Sequence, residues 1–153
     1  MKGGSPEERL DRFIGKYSPE VGALARDVLA RLRARLPGAV ELVYDNYNAL
    51  AIGFGPTERT SDAILSIALW PRWVSLFFLQ GAGLPDPNRL LRGKGKVARH
   101  IVLESAADLD KPAVRQLIAR ALERARTPLD PTGTSRLVIK SVSAKQRPRR
   151  PAT

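Results

Sequence analysis

Ala63-Ile64-Leu65-Ser66-Ile67-Ala68-Leu69-Trp70-Pro71-Arg72-Trp73-Val74-Ser75-Leu76-Phe77-Phe78-Leu79 reads as two short apolar runs hinged at Pro71-Arg72. Ala63 to Leu69 and Trp73 to Leu79 each have the length of a strand and are apolar on nearly every residue. Strands of that kind lie centrally in a sheet, where helices cover them. The remainder of the chain has to supply those helices and the flanking strands.

Upstream, Val40 to Asp45 and Tyr47 to Phe54 read as two further strands joined by a tight turn around Asp45-Asn46. Before them, Ser18-Pro19-Glu20 gives an N-cap, a first-turn proline and an acid, the start signal of a helix. Val21, Leu24, Ala25, Val28, Leu29, Leu32 and Leu36 then trace one face of it, until Pro37-Gly38 stops it. Ser5-Pro6-Glu7-Glu8 repeats the start signal for a shorter helix carrying Leu10, Phe13, Ile14 and Tyr17.

Downstream, Gln80 to Asn88 is a loop rich in Gly and Pro, and His100 to Glu104 is another strand. Ser105-Ala106-Ala107-Asp108 has the form of a capping box, and Asp110 is placed to cap a helix with Val114, Leu117, Ile118, Ala121, Leu122 and Ala125 on its buried stripe. Leu137 to Val142 fits an edge strand. From Ser143 onward too few apolar groups remain to repay ordering entropy, and disorder is expected. The fold class is therefore α+β: one domain over residues 5–142, an antiparallel sheet with helices packed on one face, and a basic tail over 143–153.

Composition narrows the function classes. A chain of 153 residues buries a core without a metal or disulfide staple, and it contains no cysteine, which excludes thiolate metal sites and thiol nucleophiles. A single histidine, His100, leaves no multi-histidine metal site. The net charge is +11, and Arg136, Lys140, Lys145, Arg147, Arg149 and Arg150 follow Thr132 without one acid among them. No apolar leader follows Met1-Lys2-Gly3-Gly4, and the longest apolar run, Val74 to Leu79, is too short to span a bilayer. A cytoplasmic protein with no membrane association is expected, and no cofactor is called for.

Three clusters carry candidate chemistry. Gly93-Lys94-Gly95-Lys96-Val97-Ala98-Arg99 sets cations beside glycines whose backbone N–H groups can converge on an anion, so Lys94, Lys96 and Arg99 are candidate ligand-binding residues. The stretch lacks P-loop spacing, and the plainer reading is a solvated turn that guards a strand edge. Tyr44, Asn46, Tyr47 and Asn48 gather hydrogen-bonding groups at one hairpin, and Trp70 and Trp73 lie at another. Together they offer a small-molecule pocket or a stacking surface for bases, if the two hairpins share one end of the sheet; otherwise they plug the core. Lys145, Arg147, Arg149 and Arg150 form a proline-punctuated arm suited to weak, non-specific contact with nucleic acid, or to solubility alone. Glu41 and Asp45 stand about 13 Å apart on one strand, too far for a glycosidase-type pair, so Glu41 is expected to pair with an arginine or to mark a polar floor.

Several of these features together resemble a bacterial family, domain of unknown function 1801, also called YdhG-like. They are Glu41-Leu42-Val43-Tyr44 after a helix ending in Leu36-Pro37, the strand pair Ile64–Leu69 and Trp73–Leu79, Gly93-Lys94-Gly95-Lys96, Arg99, and Asp108-Leu109-Asp110 opening a helix. The resemblance covers roughly residues 8 to 126. It implies a compact α+β domain with a curved antiparallel sheet and, for some members, a comparison with frataxin-type iron handling. Here the first long helix departs from the acidic ridge of frataxin-like proteins, offering Arg26, Arg31, Arg33 and Arg35 against Glu20 and Asp27. The leading expectation is a non-enzymatic binding domain for an anionic small molecule or a polyanion. Iron binding and an enzyme built on the tyrosine and asparagine cluster are the alternatives.

Overall fold

A computed structural model describes residues 4–152. The leader reading at Met1-Lys2-Gly3 and the last tail residue, Thr153, lie outside the described residues. Helices α1 (Pro6–Gly15) and α2 (Pro19–Arg35) precede four strands, β1 (Val40–Asp45), β2 (Leu50–Gly55), β3 (Leu65–Leu69) and β4 (Val74–Phe78). Then come β5 (Arg99–Leu103), helix α3 (Pro112–Glu123) and β6 (Arg136–Val142). The sheet is open, in the order β5-β4-β3-β2-β1-β6, and antiparallel except for the parallel β1–β6 pair. This is the α+β class expected, with the apolar hairpin β3–β4 in the interior of the sheet.

Local signals set the helix starts. Ser5 accepts from the backbone N–H of Glu8 at 3.1 Å while the Glu8 carboxylate accepts from Ser5 N–H at 2.8 Å, a closed capping box. Ser18 caps α2 in the same sense, with proline at the first helical position of both helices. Asp108 completes a second box with Ser105, over a short 3₁₀ turn. Asp110, expected to cap α3, does not: the cap position is Lys111, and the Asp110 carboxylate instead takes Arg31 and Arg35 from α2. Two arginines on a neighbouring helix compete better for that carboxylate than one local N–H.

Strand alternation divides the sheet. Val43, Leu50, Ile52, Leu65, Ile67, Leu69, Leu76 and Ile101 project from one face into a single core with Leu10, Ile14, Val28, Leu32, Val114 and Leu117 of the helices. The opposite face carries Tyr44, Ala51, Gly53, Ser66, Ala68, Ser75, Phe77 and His100, and no α-helix lies on it. The runs of β3 and β4 are therefore covered by helices on one side only; Ser66, Ala68 and Ser75 are small side chains on the other, with Phe77 beside them. The β2–β3 loop folds over one end of this open face, bringing Ala63 against Gly53 and Gly55. Among the described residues no helix is long and apolar enough to cross a membrane.

One glycine is indispensable to the chain path. Gly38 stops α2 at φ +80°, and a Cβ there would fall 1.9 Å from the Asp130 carbonyl oxygen. Its N–H donates to Ser135 Oγ at 3.0 Å, so the α2–β1 turn and the approach to β6 are tied together. That closure delivers β6 parallel to β1 and sends residues 143–152 toward the β1–β2 turn.

Candidate functional site

The register places Leu50 opposite Leu69, so the β1–β2 and β3–β4 turns lie at the same end of the sheet. Both are closed by backbone hydrogen bonds, Asn46 N–H to Ala49 at 3.0 Å and Trp70 N–H to Trp73 at 2.9 Å. Between them the open face forms a groove of about 530 Å³. Asn46, Tyr47, Asn48, Trp70 and Phe77 stand around it, and Ala51, Ser66 and Ala68 line it from the strands. Two adjacent strands place small residues there, Ala51 of β2 and Ser66 and Ala68 of β3, so the groove has depth without a gap in the core beneath. Tyr47 is 52% exposed and Trp73 42%, and Trp73 stacks on Trp70 with centroids 6.0 Å apart. Phe77 continues the aromatic row, its ring 5.0 Å from that of His100 on the neighbouring strand. Burial, and then the Arg92 cation, hold the His100 imidazole below its ordinary pKa, so it is neutral at pH 7.

The structure thus brings together Tyr47 and Trp70, two of the expected ligand-binding residues, with Asn46 and Asn48. Tyr44 shares the face but does not line the groove; its hydroxyl bonds Thr60 Oγ1 at 2.6 Å in the loop that covers the other end. Phe77, Ser66 and Ala68 are groove residues that the sequence reading does not single out. The signal for Ser66 and Ala68 is the alternation of large and small residues within Leu65–Leu69; Phe77 has none in its own run.

Lys94, Lys96 and Arg99 stand apart. Arg99 pairs with Phe78, at the end of the sheet away from the two turns. Its guanidinium donates to Ala98 O at 2.8 Å and to Gly95 O, so this cation is spent on carbonyls of its own loop. Lys94 and Lys96 are exposed and take part in none of the ion pairs among the described residues. The three cations do not form one site with Tyr47 and Trp70.

The tail differs from the disorder expected of it. Ser143 N–H donates to Asp45 O at 2.8 Å, Gln146 Nε2 to Asp45 O at 3.1 Å and Arg147 N–H to Tyr47 O at 2.9 Å. Arg149 is buried, reaching Asp45 Oδ1 at 2.9 Å and the carbonyls of Asn46 and Tyr47, with its guanidinium 5.7 Å over the Tyr17 ring. Lys16 Nζ meets the other Asp45 oxygen at 2.8 Å. Burial pushes the fully enclosed Asp45 carboxyl up, but Lys16, Gln146 and Arg149 together outweigh it and hold the group below the usual carboxylate value. Composition misses this because polar contacts to one buried carboxylate, not apolar area, order the segment. Arg149 is consequently withdrawn from the polyanion-binding set, while Lys145, Arg147 and Arg150 keep exposed side chains.

Glu41 pairs with Arg33 through two 2.8 Å hydrogen bonds, as the arginine-partner reading expects. The arginines of α2 are likewise engaged: Arg26 with Asp11, Arg33 also with Glu7, Arg31 and Arg35 with Asp110. Among the described residues no three His, Cys, Asp or Glu side chains cluster as a metal site.

No family model, no curated protein and no solved structure matches this chain.

Proposed function

We propose that this protein is a non-enzymatic binding domain that takes an anionic ligand bearing a flat ring in the groove of its open sheet face. One observation carries the reading: the groove is lined by aromatic and neutral polar side chains without a carboxylate, and cations stand at its rim. Arg72 lies in the β3–β4 turn beside Trp70 and Trp73, and Arg147 is hydrogen-bonded through its backbone to Tyr47; both side chains are exposed. Rings stack on aromatic faces, amides fix orientation, and the rim cations meet the charge. No lining residue is an acid, a base or an activated nucleophile, which favours binding over catalysis.

The family reading belongs to the same proposal. The order of short motifs from Glu41 to Asp110 supports a YdhG-like domain, and the open, mostly antiparallel sheet with helices on one face accords with it. The α2 arginines, all held in ion pairs, offer no acidic ridge for a frataxin-like iron role.

The test uses the chain's own chromophores. Of the two tryptophans of the sequence, Trp70 lines the groove and Trp73 stacks on it, so their fluorescence reports occupancy. Titration with thymidine monophosphate should give saturable quenching that inorganic phosphate does not reproduce. A flat fluorescence response to the nucleotide, with heat of binding also absent, would remove the groove as a ligand site.

A further inference from the structure

Resting on that groove reading, we infer that the occupant is a single-stranded nucleic acid laid across the open face from the β1–β2 turn toward β5. The aromatic row does not stop at the groove wall. From Tyr47 it passes Trp70 and Trp73, then Phe77, and reaches His100 on the edge strand, all from the same face or its turn end. Four strand spacings separate β1 from β5, about 19 Å at the usual spacing, longer than one nucleotide needs. A row of π-faces of that length suits successive unpaired bases, each of which has a ring to stack whatever its sequence.

Charge follows the same track. Arg72 and Arg147 stand at the groove end, and at the other end Arg92 bridges to His100 by backbone hydrogen bonds of 2.8 and 2.9 Å. Lys94 and Lys96 follow directly in the loop beyond it. None of these five side chains takes part in an ion pair among the described residues. No strand residue of the open face is acidic: the two carboxylates of the strands, Glu41 and Asp45, pair with Arg33 and with Lys16 and Arg149 of the covered side. The acids near the far end, Glu58 and Asp62, are engaged with Arg136 and Thr57. Cations at both ends and stacking rings between them are the components of a single-strand track. A duplex keeps its bases stacked on each other and has no use for the row.

The full chain is titrated with a dodecamer of thymidylate, a 12-base-pair duplex, inorganic polyphosphate and thymidine monophosphate, following tryptophan quenching and anisotropy across a salt series. The dodecamer should quench, bind at least about tenfold tighter than the mononucleotide, and outcompete the duplex. Tyr47→Ala, an exposed position, should weaken dodecamer binding about five- to hundredfold through lost stacking. Arg72→Ala and Arg92→Ala should each lower the salt slope by about one. Mononucleotide quenching with no gain from the dodecamer would overturn the single-strand inference and leave the groove reading standing. Equal binding of duplex and polyphosphate without quenching would overturn it as charge alone, and no quenching by any probe would remove both.

Discussion

The covered and open faces of this sheet are made by alternate residues of the same strands, yet they treat charge in opposite ways. On the covered side two strand carboxylates are sunk into the protein and neutralised: Glu41 by Arg33, and Asp45 by Lys16 and Arg149. On the open side the strands contribute no acid, the groove floor is Ala and Ser, and Arg72, Arg92, Lys94, Lys96 and Arg147 enter no ion pair among the described residues. Glu41 and Asp45 tie helices and tail to the sheet, so these two acids face the interior and not the open side. Alternation alone performs this separation, because a one-residue shift in register would exchange the two faces entirely.

The largest effect on that contrast should come from Asp45. Asp45→Ala leaves the Arg149 guanidinium buried without its carboxylate and removes the partner of Lys16, a loss of about 3–5 kcal/mol expected for a broken buried pair. Denaturant unfolding measures it, and trypsin reports its cause: the tail should be cut after Lys145 and Arg149 in the variant and resist in the parent. Arg149→Ala should cost less, since Asp45 keeps Lys16. Acid should mimic the variant. The Asp45 carboxyl is held below its ordinary value of 3.8, so the unfolded chain binds its proton first as pH falls. Its stabilisation is present above about pH 4 and is lost as pH drops through the folded pKa.

A matched pair of substitutions sharpens the comparison of faces. Ile67→Ala on the covered side, at a fully buried position, should cost about 2–5 kcal/mol by opening a cavity between sheet and helices. Ala51→Leu on the open side fills groove space, not core, and should change stability by only about 0.5 kcal/mol. Its effect should appear in the tryptophan titration, where ligand quenching disappears. If instead Ala51→Leu unfolds the protein as Ile67→Ala does, the open face is packed and not a groove.

Most of the framework was legible because local chemistry and burial agree there. Ser5-Pro6 and Ser18-Pro19 start helices, Pro37-Gly38 ends one, and the hinge at Pro71-Arg72 separates two strands, all within a residue or two of their places in the structure. The strand after the first turn begins later than expected, at Leu50 and not Tyr47, because Asn46 to Ala49 form the turn itself. The candidate site was legible in parts. Tyr47, Asn46, Asn48 and Trp70 stand out as hairpin residues, but their meeting depends on register, which pairs Leu50 with Leu69 and is invisible in either segment alone. The contacts of the tail are not legible in its composition, for a different reason. Apolar content measures what hydrophobic burial can order, whereas residues 143–149 are held by one carboxylate and three backbone carbonyls donated by the β1–β2 turn and its approach.

The smallest expected effect lies at His100, where the two faces can be told apart by pH. Burial, and then the neighbouring Arg92 charge, place its folded pKa below the ordinary 6.5. The unfolded chain therefore takes up the proton first as pH falls, so stability is unaffected above about 6.5 and declines below it. The decline should be shallow, because the ring is only partly enclosed, and His100→Gln should abolish it while leaving the Asp45 transition near pH 4 in place. A bound polyanion should cancel that decline. Phosphate near Arg92 offsets the charge that disfavours the imidazolium, so the dodecamer should hold the folded protein's stability level between pH 5 and 6.5 where the free protein loses it. Nuclear magnetic resonance titration of the one histidine reads this directly: its pKa should rise when thymidylate dodecamer is added and stay fixed if the strand does not reach β5. The same titration thus separates a ligand confined to the Tyr47 groove from one that runs the full width of the open face.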